Sequence, residues 1–424
     1  MAGRPIWMIR LLFFMLVTIK GFDRLIYASI WAEDGKVFLK QAIEIGWSSL
    51  FIPYDGYFHT LPRLIALTAT HLPATLIPHF IVLVCYAIVA YAITLVFSAS
   101  YTWLFRNRTL STVCAILLLL LPGQGIILGN TANLHWYLLL ILALLGLKDI
   151  TKPYTIPELI IAFLCISSEG AVIILLPLFL TRMALIESKT LQRLCGEIII
   201  AGLIVAFAGL HLSIPGEAHE YASVSSYFQI LVSQFCYFFM LHIFVGDSIV
   251  RVISGNEKIL RLLAFLTLSA LLYILRRVWQ KELTLVLVLS LCGLLLPIMI
   301  ALARPQNIEL MDTYFSFDSV RWFRFRYSFF VPAIASIFWI SLISRMTSPR
   351  WLPDFLVAVI LFTQIFLNGY RIPINRYKEI SDWYDKAPLL EKSWRQGCPE
   401  RVLVHINPPP WTVEFRSPVK SDCD

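Results

Sequence analysis

The sequence predicts an all-α, polytopic membrane protein, and three observations carry that prediction. Apolar residues make up 58% of the 424 positions and the mean hydropathy is +0.74, well outside the usual range of soluble globular domains. Apolar runs of about 20 residues recur along the chain, the length that crosses a hydrocarbon core roughly 30 Å thick. The alternating ten-residue segments of a membrane β-barrel do not occur. The formal charge of +8 does not argue for nucleic acid, because Lys and Arg in such chains mark cytoplasmic loops and contact anionic lipid.

The elements follow in chain order, oriented by the Lys/Arg bias of cytoplasmic loops. The first apolar run, 6–25, contains Arg10 and follows Arg4. It reads as an uncleaved anchor leaving the cytoplasm, since no small-residue cleavage site follows it. Residues 26–75 form a long outer loop with amphipathic segments at 36–45 and 61–71. The run 76–97 returns to a basic loop with Arg106 and Arg108, 110–128 goes out, "GNTANLHW" turns, and 132–147 comes back to Lys148 and Lys152.

Segment 156–183 reads either as one long helix or as two short ones hinged at "SSEG" (167–170). One helix would force 228–246 to span and would strand Arg182, Lys189 and Arg193 outside. The hairpin obeys the positive-inside bias, and is the reading adopted. Two helices of about 12 residues reach only ~18 Å, so the tip with Glu169 would lie below the outer surface. Polar backbone at that depth needs a wet cavity or protein around it.

Further spans are expected at 196–213, 259–276, 283–302, 327–345 and 352–370, with "RRVWQKE" and "RMTSPR" inside and 228–246 re-entrant or interfacial. The total is about 11 membrane helices, with the two short helices of the hairpin counted separately. Residues 1–370 form the membrane domain and 371–424 an outer C-terminal tail. No internal repeat is evident, which gives an inverted-repeat transporter little support. The eight Cys show no CxxC and no metal-ligand spacing. Most lie in or beside predicted spans as small hydrophobes, while Cys398 and Cys423 stand in the polar tail, where an oxidising compartment would allow a disulfide.

Unusual polarity gathers on the outer face. The first loop carries Glu33 and Asp34 in "WAEDGKVFLKQA", then Tyr54, Asp55, His59 and Arg63 in "PYDGYFHTLPRL". The second loop supplies Asn130, Asn133, His135 and Trp136, and the hairpin tip Glu169. "DSVRWFRFRYSFF" adds Arg321, Arg324 and Arg326, alternating with aromatics on the side where cations should be scarce. A guanidinium fork suits phosphate oxygens, so an anionic ligand explains that departure. A carboxylate there can take a proton from an acceptor hydroxyl, arginines can stabilise a departing phosphate, and paired acids suit a hard divalent cation such as magnesium or manganese.

Plainer readings stand beside these. Glu33 and Asp34 can cap a helix starting near Gly35. His59 and His135 can be structural hydrogen-bonders, Arg63 a snorkelling anchor, and the three late arginines membrane-surface anchors. Tyr54 and Asp55 can shape a turn with Gly56. Glu169 resists a plain reading, because an acid at membrane depth is a functional candidate by default. "GQGIILG" has the wrong spacing for a phosphate loop and no strand before it.

A first outer loop with paired acids after span one, short mid-chain helices and basic residues in a late outer loop together resemble the GT-C superfamily of integral membrane glycosyltransferases. The likeness is strongest to bacterial members with "WAEDG…F" followed by "PY.GY…PRL", and its topology covers roughly residues 1–350. The resemblance implies a multi-pass protein of the bacterial inner membrane with its N-terminus cytoplasmic and its tail outside. It also implies a polyprenyl-phosphate sugar donor, such as one on undecaprenyl phosphate, and a glycan or glycolipid acceptor, such as lipopolysaccharide O-antigen or a wall polymer. By position, the base or metal-ligand role falls to Asp34 with Glu33 beside it, and the lipid-phosphate role to Arg321, Arg324 and Arg326. The family's acids are often separated by one residue; here they are adjacent, which leaves the choice between them open. A polymerase or ligase of lipid-linked glycans and a lipid or sugar flippase are the competing readings. Polarity concentrated on one face weighs against the flippase.

Overall fold

The fold comes from a computed structural model that describes residues 5–121, 124–187, 191–213, 227, 230–232, 234–246, 257–303, 329–346, 351–367, 381–396 and 401–415. The chain is mostly helical. Three helical stretches are long and apolar enough to cross a membrane: Ala74–Phe97, Leu194–His211 and Leu283–Leu302. The remaining apolar helices are shorter, so the expected set of full-length spans is only partly met. The all-α expectation holds apart from one two-stranded sheet among the described residues.

Helix α1 (Ile6–Lys20) breaks at Gly21 into α2 (Phe22–Ile26). A Cβ at Gly21 would collide with the Tyr86 ring, whose hydroxyl donates to the Gly21 carbonyl at 2.5 Å. That close approach needs glycine and fixes α1 against α5 (Ile77–Thr94). The long first loop holds both expected amphipathic segments. A π-helical stretch (Asp34–Leu39) runs into α3 (Lys40–Ile45), and α4 covers Thr60–Ala69.

The run expected at 110–128 forms α6 (Arg108–Leu119) and a short α7 (Gln124–Ile127); that at 132–147 forms α8 (His135–Gly146). These helices stop short because the intervening polar turn folds inward: Asn130, Thr131 and Asn133 are buried. Buried turn groups need hydrogen-bond partners rather than helix geometry.

The hairpin reading of 156–183 is the one the chain adopts. Helices α9 (Ile156–Ile166) and α10 (Leu176–Leu185) are separated by the break at 167–171 and a 3₁₀ turn (Val172–Leu175). The ends away from the tip come back together, because Arg182 near the end of α10 donates to the Asp149 carbonyl at 2.9 Å, just before α9. The long helix α11 (Leu191–Ser213) follows, and the Arg182–Glu197 pair at 3.0 Å joins it to α10.

Helices α12 (Glu257–Val278), α13 (Leu283–Ala303) and α14 (Phe330–Ile343) fall within a few residues of expectation, whereas α15 (Trp351–Phe362) stops eight residues before the expected end at 370 and passes into a π-helical stretch (Thr363–Leu367). In the 228–246 region a π-helical stretch covers Gln234–Leu241. The tail, given no structure by its sequence, folds as α16 (Trp383–Gln396) and the antiparallel pair β1 (Val402–His405) and β2 (Thr412–Phe415). Cys398 and Cys423 lie outside the described residues.

Candidate functional site

The acid pair is held from two sides. On one side the tail pairs with the strand-like segment before it: Ala32 N donates to Asn407 O at 2.5 Å, and Asn407 N to Ile30 O at 3.0 Å. The Asn407 amide also donates to Ser29 Oγ. A Cβ on Gly35 would meet Ile30 Cγ2 at 2.7 Å and Ile406 Cδ1 at 2.9 Å, so this packing admits only glycine after the acids.

On the other side lies the turn at 130–133. Thr131 N and Thr131 Oγ1 each donate to the Asp34 carboxylate at 2.8 Å, and Ala132 N donates at 2.7 Å. Asn130 Oδ1 shapes that turn by accepting from Asn133 N at 2.9 Å and Asn133 Nδ2 at 2.8 Å. Asp34 is 2% exposed. Burial pushes its carboxyl up to about 7, and the three donors from Thr131 and Ala132 work against that rise. Glu33 is half-buried and forms no hydrogen bond or ion pair among the described residues. The adjacent acids therefore divide: one is a buried clasp, the other a carboxylate at the edge.

Asp34 opens a π-helical stretch, so an acid near a helix start is what the structure contains, yet no side-chain cap bond forms there. Its partners are on another loop instead. Three of the roughly four lone-pair directions of the Asp34 carboxylate already accept hydrogen bonds, which makes this acid a poor ligand for a divalent cation. Among the described residues no group of three or more His, Cys, Asp or Glu side chains is arranged to hold a metal ion.

The "YDGY" segment forms a two-residue hairpin turn. Tyr54 N donates to Tyr57 O at 2.8 Å and Tyr57 N to Tyr54 O at 3.2 Å, with Asp55 at φ 54° and Gly56 at φ 92°. Asp-Gly with both φ positive is the favoured pair for this turn. Asp55 is its exposed apex, which matches the plain reading of Tyr54 and Asp55. His59 also sits at positive φ, 55°, where a non-glycine residue is uncommon, and its ring stacks on Tyr57 with centroids 3.7 Å apart.

Arg63 is not a snorkelling anchor. It is fully buried; Nε donates to the Phe58 carbonyl at 2.9 Å and Nη1 to Gln41 Oε1 at 2.5 Å. Its guanidinium lies over the Phe38 ring at 5.4 Å. Arg63 makes no ion pair and Nη2 no hydrogen bond among the described residues. Burial lowers its pKa to about 10, which still leaves it charged at neutral pH.

The hairpin tip completes the cluster. Thr60 Oγ1 donates to the Ser167 carbonyl at 3.1 Å and Leu61 N to Ser168 Oγ at 2.8 Å, docking the tip on the start of α4. Glu169, 3% exposed, lies 2.7 Å from His135 Nδ1 through Oε2 and accepts from Ala171 N at 2.9 Å through Oε1. The Trp136 ring sits 4.4 Å from the His135 ring. Tyr57 joins the pieces, with ring centroids 6.3 Å from His135 and 6.0 Å from His211 at the end of α11.

Four separate stretches thus meet at one end of the bundle: the acid pair, the 54–63 segment, the 130–136 turn and the 167–170 tip. Arg321, Arg324 and Arg326 lie outside the described residues. Sequence reasoning passed over Thr131, Tyr57, His211, Gln41 and Asn407. It also passed over Arg24, which is buried with its guanidinium 4.4 Å over the Trp31 ring. An arginine inside the first predicted span was the available signal.

A scan against protein-family models, a search of curated proteins and a search of solved structures each find no match to this chain.

Proposed function

We propose that this chain is a multi-pass membrane glycosyltransferase of GT-C type, with about 11 membrane helices when the two short hairpin helices are counted separately. In this reading it transfers a sugar from a polyprenyl-phosphate donor to a glycan or glycolipid acceptor on the outer face of a bacterial inner membrane. One observation carries the reading: carboxylates, histidines and a buried arginine from four distant stretches converge at one end of an apolar bundle. Such a constellation in a membrane chain is costly and therefore marks function.

The reaction inverts the sugar. An acceptor hydroxyl loses its proton to the polar cluster and attacks the anomeric carbon, and polyprenyl phosphate departs as an anion. Arg63, buried without a counter-charge among the described residues, supports a role in holding that anion close to the chemistry. The late arginine trio is the resemblance's candidate for the same phosphate.

The test is mass spectrometry of surface glycans from cells with and without the gene. The expected result is a loss of one sugar residue from a defined glycan in the deleted strain, restored by the gene. Identical glycans in both strains would end this reading.

A polymerase or ligase of lipid-linked glycans is the second reading, and the use of Asp34 as a clasp favours it, since such enzymes need no acidic base. Donor choice separates the two. A transferase consumes a monophosphate-linked sugar, whereas a ligase consumes a diphosphate-linked glycan.

A further inference from the structure

We infer that the proton acceptor in this site is His135, oriented by Glu169, and that the first-loop acid Asp34 holds the site together rather than receiving the proton. The inference rests on the sugar-transfer reading and names the residue that the reading leaves open.

A general base must present a free lone pair to the acceptor hydroxyl at hydrogen-bond distance. Asp34 is 2% exposed, and its two oxygens accept from Thr131 N, Thr131 Oγ1 and Ala132 N. His135 is arranged the other way. Its Nδ1 faces Glu169 Oε2 at 2.7 Å, so an ionised Glu169 fixes the proton on Nδ1 and leaves Nε2 with the lone pair. Nε2 has no hydrogen-bond partner among the described residues, and the side chain remains 15% exposed against 5% for Glu169.

Glu169 is itself held, with Oε1 accepting from Ala171 N at 2.9 Å. A carboxylate fixed by backbone, a ring fixed by the carboxylate and a partly open ring nitrogen are the base-and-orienter arrangement of hydrolytic triads. The position also suits the task. Glu169 sits on the break of two short helices and His135 at the first turn of α8, both next to the turn that clasps Asp34. Tyr57 faces the His135 ring, and His211 and Cys165 are the titratable groups that interact electrostatically with Glu169.

In the transfer step, the acceptor oxygen forms a bond to the anomeric carbon while its proton moves to His135 Nε2. The bond from that carbon to the donor phosphate oxygen breaks, and its electron pair leaves on polyprenyl phosphate. The resulting imidazolium is balanced by the Glu169 carboxylate. His135 is the catalytic residue here, and Glu169 is a positioning residue.

The experiment uses the purified full-length chain in proteoliposomes, undecaprenyl phosphate bearing a radiolabelled hexose as donor, and membranes from gene-deleted cells as the source of acceptor. For His135→Ala the expected result is a kcat lower by ~10²–10⁴-fold with unchanged donor KM, the range for loss of a positioned base. Added imidazole should recover part of that rate, which a misfolded variant would not allow. Glu169→Gln should lower kcat by at least ~10-fold, at the lower edge of that scale, and Glu169→Asp should fall between it and wild type. Near-wild-type kcat in His135→Ala, or a loss that imidazole does not repair, would overturn the assignment. Absence of transfer by the wild-type chain would overturn the sugar-transfer reading itself, a result distinct from any variant effect.

Discussion

The two ends of the bundle handle buried charge in opposite ways. At the end where α8 finishes and α9 begins, the buried Lys148 and Arg182 are each paired with an acid. Lys148 Nζ sits 2.6 Å from Glu158 Oε2 and donates to the Pro153 carbonyl at 2.7 Å. Arg182 pairs with Glu197 and also reaches the Asp149 carbonyl. At the other end, Arg63 is buried with no ion pair among the described residues, and Asp34 takes its hydrogen bonds from neutral donors. Buried charge is expensive wherever it is placed. Local pairing offsets the desolvation cost of Lys148 and Arg182, whereas Arg63 bears that cost without an ion pair among the described residues.

The largest effect that would test this contrast comes from Asp34. Asp34→Ala strands three donors that are now satisfied, at ~1–3 kcal/mol for each buried group left unpaired, and it should abolish transfer. Thermal unfolding in detergent, together with labelled-sugar incorporation, reads both losses. A folded, active Asp34→Ala chain would erase the distinction between the two ends.

Next in size is the closed end. Arg182→Met alone leaves Glu197 charged and buried, which should cost ~3–5 kcal/mol, whereas Arg182→Met with Glu197→Leu should recover most of it. Transfer per folded molecule should stay at the wild-type level in the double variant. If the double variant folds but transfers no sugar, this end too takes part in function.

A pH effect of intermediate size follows from Asp34. Its carboxyl is raised to about 7 by burial, so the folded chain holds that proton more tightly than the unfolded one. The stabilisation is fully present at pH below the ordinary aspartate range, declines as pH rises from there to about 7, and is flat above. Asp34→Asn should remove this decline from a plot of unfolding temperature against pH. Thr131→Val, which deletes one donor, should push the upper edge of the decline higher.

Much of the fold was legible because hydropathy and the Lys/Arg bias are both summed over many residues. The hairpin at 156–183 followed from where Arg182 had to lie, and Arg182 indeed returns to Asp149. The candidate site was legible as a set of polar stretches but not as contacts. Thr131 carries two of the three bonds to Asp34, yet a threonine beside two asparagines has no sequence signature. Tyr57 becomes central only through ring stacking on His59. The docking of the tail joins backbone pairing between residues near 30 and 407 to the buried Trp383, whose Nε1 donates to the Ala74 carbonyl at 2.8 Å, and neither contact has a sequence signature. Helix lengths were overestimated at 110–128 because apolar composition continues through a stretch where the buried turn interrupts the helix.

The smallest expected effect concerns that tail. Asn407 pairs with the acid loop through its own N–H and carbonyl, to Ile30 and from Ala32, and substitution of the side chain leaves both bonds in place. Asn407→Ala therefore removes only the amide bond to Ser29 Oγ, a loss of ~1 kcal/mol for a single hydrogen bond. Unfolding temperature should drop slightly and sugar transfer should stay close to wild type. Removing residues 401–424 instead deletes the backbone partner of Ala32, two residues before the Asp34 clasp, and transfer should fall much further. If Asn407→Ala were as damaging as Asp34→Ala, the tail amide would belong to the reactive cluster, and the polar end would extend beyond the four stretches that define it.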